Sequence, residues 1–427
     1  MSRPVPQSPE QAVQAVQAGQ AGQAGQADPP GRWAALAILA VAVLLSMTTW
    51  FSASAVVPQL RAEWGLTQGQ AALLTISVQL GFVAGAVGSV VLALADIVAP
   101  RRLMLYGSVG AALANAGLVL ADGPLGAVPL RFATGVFLAV VYPPALKEMA
   151  TWFRRGRGTA LGVLVGALTV GSAAPHLINS LGGASWRLVV VVSSVLTVAG
   201  GLVAALAGRD GPFPFPRTSF DAKQARQAFG NRGVRLATLG YFGHMWELYA
   251  MWAWILVFLT DAFDRAGRPG RAGPALATFA VIGIGGLGCW VGGILGDRWG
   301  RCRLTALAMI VSGSCALVIG LLRDAPLPVL MGVALLWGFW VVADSAQFST
   351  VVTEVADQRY VGTALTLQLA VGFTLTVVTI YLVPVLRDGL SWQWAFAFLA
   401  PGPFLGAIAM LLLLRSPYAA RIAGGRG

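Results

Sequence analysis

The sequence predicts an all-α integral membrane protein in which twelve transmembrane helices form two pseudo-symmetric six-helix bundles. Composition, segment length and an internal repeat each indicate this fold. Of the 427 residues, 57% are hydrophobic and 11% are charged, whereas a soluble domain carries about 25% charged residues. Such a chain suits lipid as the solvent for most of its surface. A disordered chain is excluded, because disorder goes with low hydrophobicity.

The chain divides into two apolar regions separated by a polar linker. Residues 1–31 form a Gln/Ala/Gly-rich segment that we interpret as a disordered cytoplasmic tail. Next comes an N-terminal bundle over 32–207, which a cytoplasmic linker over 208–235 connects to a C-terminal bundle over 236–414. Residues 415–427 are a second cytoplasmic tail. The apolar segments approach the ~20 residues that span a bilayer. They are Trp33–Val57, Gln70–Ala95, Leu103–Ala121, Gly126–Leu146, Gly158–Leu181, Arg187–Ala207, Leu236–Thr260, Ala275–Leu295, Leu304–Leu322, Val329–Phe348, Gly362–Leu386 and Gln393–Leu414.

The Lys and Arg residues predict the orientation of the chain. With both termini in the cytoplasm, 21 of the 29 basic residues lie on the cytoplasmic side and 7 on the other. This bias is typical of multi-pass proteins, so we expect a bacterial inner-membrane protein. It also accounts for the net charge of +12 without a nucleic-acid partner. The three cysteines have no metal-binding spacing, so no metal site is predicted.

The two apolar regions repeat short sequences at a nearly constant offset. Gly158-Thr-Ala-Leu opens the fifth segment, and Gly362-Thr-Ala-Leu opens the eleventh, 204 residues later. Two further matches are Ser185-Trp186 with Ser391-Trp392, 206 residues apart, and Asp96 with Asp297, 201 apart. Three matches in register favour a duplicated six-helix unit.

A loop motif follows the eighth segment. It reads Gly293-Ile-Leu-Gly-Asp-Arg-Trp-Gly-Arg-Cys-Arg303 and resembles the loop signature of the major facilitator superfamily. The loop after the second segment keeps an Asp and an Arg pair but loses both glycines. The resemblance extends from about Trp33 to Leu414 and implies the superfamily fold, secondary active transport, no cofactor and a monomer.

The resemblance also implies a conformational latch. A carboxylate can bind the positive N-terminus of a neighbouring helix, which pairs Asp297 with the fifth segment near Gly158 and Asp96 with the eleventh near Gly362. Alternatively, the arginines of these loops only set the topology. The latch candidates are Asp96, Arg101, Arg102, Gly293, Asp297, Arg298, Gly300 and Arg301.

Ionisable residues within the spans are candidates for proton coupling. His244 and Glu247 are three apart, hence on one helix face, and burial of Glu247 disfavours its charged form unless it is paired. His244 is then a partner or relay for Glu247, or the two are a static pair that fixes helix packing. Asp344 in the tenth segment is a further candidate.

Arg131 in the fourth segment precedes Gly135 by four residues. This spacing resembles the superfamily pattern that is linked to proton transfer. A guanidinium keeps its charge, so Arg131 needs an acid, for which Glu247 is one candidate, or an anionic substrate. The alternative is a side chain that snorkels to the outer interface.

Several polar and aromatic side chains could line a substrate cavity, since aromatic rings with polar edges suit amphipathic ligands. The alternative is that they are core residues, lipid-facing residues or interhelical hydrogen-bonding groups. The candidates are Trp50, Gln79, Trp246, Tyr249, Gln347 and Gln368.

These features predict a secondary active transporter for a small organic solute, an anion if Arg131 pairs with it. Its partners are the substrate, protons and the bilayer. The sequence is similar to a poorly characterised bacterial branch grouped loosely with nitrate and cyanate permeases. One alternative is a proton-driven efflux pump for amphipathic compounds, and another is a non-transporting sensor on the same fold. An enzyme is not predicted, since no phosphate loop, metal pair or nucleophile motif occurs.

Overall fold

The computed structural model describes residues 29–181, 185–214, 222–357 and 359–427, except the side chains of Ala95, Asp96 and Ala222. Within these ranges the chain is helical and contains no strand. Twelve helical segments are long and apolar enough to span a membrane. They are α1 (Arg32–Thr49), α2 (Gln68–Val91), α3 (Pro100–Leu120), α4 (Pro124–Ala150), α5 (Arg157–Ser180), α6 (Trp186–Ala207), α7 (Arg232–Arg265), α8 (Ala272–Trp299), α9 (Arg301–Leu322), α10 (Leu327–Val355), α11 (Val361–Gly389) and α12 (Trp392–Leu414).

The fold class predicted from the sequence is confirmed. In the first half, α1 packs on α5 and α6, α2 on α4, and α3 on α4 and α6. The second half repeats the pattern six helices later, with α7 on α11 and α12, α8 on α10, and α9 on α10 and α12. The halves meet where α5 packs on α8 and where α2 packs on α11. The arrangement is a pair of pseudo-symmetric six-helix bundles.

The contact between α5 and α8 depends on glycines. A side chain on Gly293 would lie 2.5 Å from the carbonyl oxygen of Gly158, and one on Gly162 would collide with the carbonyl of Cys289. Residues without side chains let two helix backbones approach closely within a bilayer. This contact lies toward the face of the molecule that carries the loop between α8 and α9, which we call the latch face; the opposite side is the far face.

Several spans are interrupted. The first ends at Thr49, and turns lead into a short helix over Val57–Trp64. The fourth breaks between Leu138 and Tyr142, and the tenth breaks at Asp344. Irregular backbone is tolerated at membrane depth only where protein groups satisfy it or a cavity is lined. The breaks in α1 and α10 therefore mark places to look for function.

Several expected span boundaries differ from the structure by a few residues, and two of the differences concern the latch candidates. Asp297 lies in the last turn of α8 instead of following it, because the helix continues to Trp299. The second span ends at Val91, and Asp96 belongs to a separate short helix over Leu94–Ile97. A residue with φ of 51°, Ala93, separates the two helices.

The segments that follow α6 and α12 both fold back onto the bundles. After α6, the backbone N–H of Gly211 donates to Thr151 Oγ1 at 2.7 Å. After α12, a 3-10 helix over Pro417–Arg421 leads to Ile422, which is fully buried. The predicted tail over 1–31 lies almost entirely outside the described residues, and so does part of the linker.

Candidate functional site

Six aromatic side chains meet between the two halves. The first half contributes Trp50 and Phe51, which follow the end of α1, and Phe82 of α2. The second half contributes three rings from α7 and α11, and all six side chains are at most 6% exposed. We call this group the aromatic cluster: Trp50, Phe51, Phe82, Tyr249, Trp252 and Phe373.

Rings of the aromatic cluster contact each other across the interface. Trp50 stacks on Tyr249 with centroids 6.0 Å apart, and the rings of Phe82 and Phe373 are 4.8 Å apart. The rings of Phe51 and Trp252 are 5.6 Å apart in a T-shaped arrangement. Such geometries are favourable for aromatic pairs. The cluster lies near the middle of α2, α7 and α11, where it separates the two faces.

Polar groups without protein partners accompany the aromatic cluster. Among the described residues, the indole nitrogens of Trp50 and Trp252 have no hydrogen-bond partner. Both amide atoms of Gln79 and the amide nitrogen of Gln368 also have none, although both side chains are buried. Gln79 lies one turn from Phe82 toward the far face, and Gln368 lies just over one turn from Phe373 toward the latch face. Buried polar groups are normally bonded, so these mark a candidate ligand-binding region.

Two of the expected cavity residues lie elsewhere. Trp246 packs on Phe398 and donates to its carbonyl oxygen at 3.2 Å, inside the second half. Gln347 accepts from Arg301 at 2.8 Å, on the latch face. Spacing along a helix does not show which neighbour a side chain meets, and the packing of α12 and α9 decides the two cases.

The ionisable residues of the second half form two groups. Nδ1 of His244 lies 2.9 Å from Oδ1 of Asp344, and Nε2 is 2.7 Å from Ser345 Oγ. Glu247 instead accepts from Ser312 at 2.8 Å and from Trp337 at 2.7 Å. The expected pairing of His244 with Glu247 is therefore replaced by His244 with Asp344. The break in α10 positions Asp344 against α7.

Arg131 is fully buried in the first half, so its side chain does not snorkel to the outer interface, which was the alternative interpretation. Its guanidinium donates to the backbone carbonyls of Thr49 and Trp50, where α1 ends. Glu247, one candidate acid for Arg131, instead accepts from Ser312 and Trp337 in the second half. The other acceptors of Arg131 are the Leu74 carbonyl at 3.3 Å, Ser52 Oγ at 3.2 Å and Asn115 Oδ1 at 2.9 Å.

These acceptors suggest what Arg131 does for the fold. Carbonyl groups at a helix end carry partial negative charge and lack intrahelical partners. Arg131 satisfies those exposed by the break after Thr49, and thereby supports the backbone that carries Trp50 and Phe51.

On the latch face, Asp297 bridges the two halves. Its Oδ2 accepts from the backbone N–H of Thr159 at 3.1 Å, in the first turn of α5. Its Oδ1 lies 3.1 Å from Arg301, which also binds Glu354. A carboxylate at a helix N-terminus is stabilised by unpaired N–H groups and the helix dipole.

The remaining latch candidates are distributed around this bridge. Gly293 and Gly300 lie in tight backbone contacts, and Arg298 is exposed. Arg101 and Arg102 begin α3 in the first half. The expected contact of Asp96 with α11 concerns a side chain outside those described.

Sequence reasoning missed Glu148 at the latch-face end of α4. Its side chain is 1% exposed, and neither carboxyl oxygen makes a hydrogen bond of ordinary geometry. The internal repeat contained the signal, because Glu148-Met-Ala150 matches Glu354-Val-Ala356 at an offset of 206. His176 of α5 is a further buried ionisable residue. It is fully buried, and neither ring nitrogen has a partner among the described residues.

Twelve spans among the described residues, in two related bundles with a buried polar and aromatic region between them, define a polytopic membrane protein. The family model described as Major Facilitator Superfamily matches residues 39–292. The chain therefore belongs to the major facilitator superfamily, as its loop motif predicts.

A curated relative is the "Probable actinorhodin transporter" of Streptomyces coelicolor (strain ATCC BAA-471 / A3(2) / M145). It is 28% identical over 202 residues, which cover 44% of this chain and 34% of the relative. The chain thus spans about a third of the length of that relative. The predicted grouping with nitrate and cyanate permeases stays a prediction.

Proposed function

We propose that this protein moves a small organic compound with an aromatic or other flat apolar face across the membrane by alternating access. The carrying observation is the aromatic cluster, which joins the two halves at membrane depth beside unpartnered polar groups. When the halves rock apart, a ligand can replace the contacts that Trp50 and Phe82 make with the other half. Binding near the midplane at the interface between two repeats is typical of secondary transporters.

The surroundings of Arg131 favour an aromatic compound over a small anion. Its guanidinium is engaged by protein oxygens of the first half, so an anion would have to displace bonds that support the α1 break. The aromatic cluster instead offers ring faces and a few polar edges, as in sites for amphipathic ligands. The name of the curated relative also denotes transport of an organic compound.

Proton coupling is supported by the buried ionisable groups of the second half. The His244–Asp344 pair occurs at the α10 break, and Glu247 is one turn along α7 from His244. Ionisable groups in spans are rare and commonly form proton relays. The orientation is a separate part of the proposal. The bias of basic residues places both ends of the chain in the cytoplasm of a bacterial cell.

The substrate class can be tested in liposomes that contain the purified protein and an internal pH dye. We would compare ethidium, 2-naphthoate and succinate, which are an aromatic cation, an aromatic anion and a non-aromatic anion. We expect proton movement with at least one aromatic probe and none with succinate. Trp50→Ala should reduce the proton movement driven by the aromatic probe about tenfold, because stacking and packing contacts are lost. Trp394→Ala, at a side chain 56% exposed on α12, is the matched control.

Coupling is tested in the same liposomes with Asp344→Asn and Glu247→Gln. At least one of these variants should carry the probe down its own gradient without moving protons. Proton movement with succinate alone, lost in Arg131→Lys, would reject the aromatic site in favour of an anion site. Wild-type proton movement in both acid variants would reject the coupling role.

A further inference from the structure

The segment Pro417–Gly427, which we call the strap, is bonded to the last turn of α8, which carries Asp297, and to the start of α9. The Arg426 guanidinium donates to the backbone carbonyl of Asp297 at 2.6 Å. The backbone N–H of Cys302 donates to the Gly427 carbonyl at 3.2 Å. Both bonds lie on the α8–α9 turn.

The strap also binds the carboxylate that holds Arg301. The backbone N–H of Ala423 donates to Oε2 of Glu354 at 3.1 Å. Nε of Arg301 lies 3.2 Å from each oxygen of the same carboxylate. Next along the strap, Ile422 is fully buried in the hydrophobic cluster at the latch-face end of the second half. The strap is thus anchored by apolar burial and by hydrogen bonds.

The turn itself is shaped to receive the strap. Gly300 has a φ of 112°, a conformation that side chains rarely adopt. A Cβ there would also lie 2.5 Å from the Gly427 oxygen and 2.6 Å from the Arg426 oxygen. Glycine at this position therefore allows both the turn and the close approach of the strap.

Among the described residues, the segment that follows α6 makes a different set of bonds. It binds Thr151, through Gly211 and through the backbone N–H of Phe213 at 3.1 Å. Glu148, the repeat counterpart of Glu354, makes no hydrogen bond of ordinary geometry, although the backbone N–H of Arg209 acts on it. Within the described residues, the bonds from a terminal segment to an intact loop motif are therefore those of the second half.

We propose that the strap is a positioning element for the latch: it holds Asp297, Arg301 and Glu354 so that Asp297 can bind the first turn of α5. This inference rests on the proposed latch role of Asp297 in alternating access. The Arg426 guanidinium is a cation at the C-terminus of α8, where positive charge is favourable. Its bond to the Asp297 carbonyl fixes the backbone from which the Asp297 side chain extends. Loosening the strap should shift the protein toward states in which the latch face is open.

The Thr159 amide gives a direct measurement, because it is in the first turn of α5 and its acceptor is Asp297. Amides of a first helical turn have no intrahelical acceptor. We would follow hydrogen–deuterium exchange of this turn in the full-length protein in detergent. Asp297→Ala, which removes the acceptor, sets the rate for the open latch.

Arg426→Ala should raise this exchange about tenfold toward the Asp297→Ala rate, the size expected for a bond to a charged group. Ile422→Ala, which weakens the apolar anchor, should act in the same direction. Arg415→Ala, at an exposed arginine just before the strap, makes the same change of charge and should leave the rate unchanged. Protected amides in the middle of α2 confirm that each variant is folded.

Wild-type exchange in both Arg426→Ala and Ile422→Ala would overturn the proposal. An Asp297→Ala rate equal to the wild type would overturn it too, because there would then be no latch to position. Neither measurement depends on a transported compound. Failure of the transport assays would therefore leave this result interpretable on its own.

Discussion

Glu148 and Glu354 lie 206 residues apart at equivalent ends of α4 and α10, but only Glu354 accepts hydrogen bonds of ordinary geometry from an arginine. Glu354 binds Arg301 at 3.1–3.2 Å, whereas neither carboxyl oxygen of Glu148 makes a hydrogen bond of ordinary geometry. The two halves share a fold and differ in how their latch faces are held. The intact loop motif of the second half provides Arg301. At the offset of 201 residues that separates Asp96 from Asp297, the first half has Pro100 in place of this arginine.

This asymmetry predicts opposite results for the same substitution. Glu354→Gln should lower the stability by about 2 kcal/mol, because hydrogen bonds to a charged partner are lost. Glu148→Gln should leave stability unchanged or raise it by up to about 1 kcal/mol, because a buried carboxyl group that makes no hydrogen bond of ordinary geometry is replaced by a neutral amide. Thermal unfolding of the purified variants measures both. Equal losses in the two would show that Glu148 has a partner in the folded protein.

Arg131→Lys should destabilise the protein by about 3 kcal/mol, because an ammonium cannot reproduce the planar set of donors that reaches the α1 carbonyls. The loss should appear in thermal unfolding without any substrate. Arg61→Lys is the control, since Arg61 is partly exposed and its hydrogen bond to the Leu66 carbonyl is 3.3 Å long. If Arg131→Lys unfolds at the same temperature as the wild type but loses transport, Arg131 acts on the substrate and not on the fold.

Two glycines of α2 should respond differently to alanine. A Cβ on Gly81 would collide with the Phe132 carbonyl of α4, whereas a Cβ on Gly88 meets nothing within 4 Å. Gly81→Ala should therefore cost about 1–3 kcal/mol through overpacking. Gly88→Ala should be neutral or stabilise by up to about 1 kcal/mol, the helix preference of alanine over glycine. Similar unfolding temperatures for the two variants would contradict the close packing of α2 on α4.

Acid should weaken a contact on the far face. Trp186 and Arg187 donate to Glu63 at 2.6 and 2.7 Å, and these bonds hold the pKa of Glu63 below its ordinary value of 4.5. A lowered pKa stabilises the fold above the ordinary value, and that contribution is lost as pH falls below it. Unfolding temperatures of wild type and Glu63→Gln should therefore converge as the pH is lowered from 7 to below the ordinary value. The exposed Asp122→Asn variant is the control, and a constant difference for Glu63→Gln would refute the assignment.

The loop motif and the repeat predicted more of the contacts around Asp297 than of the contacts in the proposed substrate region. The motif identifies Asp297 and Arg301, because its spacing is local and its chemistry needs a helix end. The cavity candidates are predicted from residue type alone. The residues that contact them come from other helices, which residue type does not reveal. Trp50 and Tyr249 meet across the interface, whereas Trp246 faces Phe398 within one half. Helical spacing gives a face, and only the packing of other helices decides what that face contacts.

The sequence by itself determined the membrane class, the twelve spans, the duplication and the family, because each follows from local hydrophobicity, short repeats or a contiguous motif. Only the tertiary structure decided the partners of the buried polar groups. Arg131 binds the broken end of α1, His244 binds Asp344, and the strap binds the α8–α9 turn. In the membrane interior a polar side chain must find its partners within the protein. Those partners come from helices distant in the chain, so packing and not sequence spacing selects them.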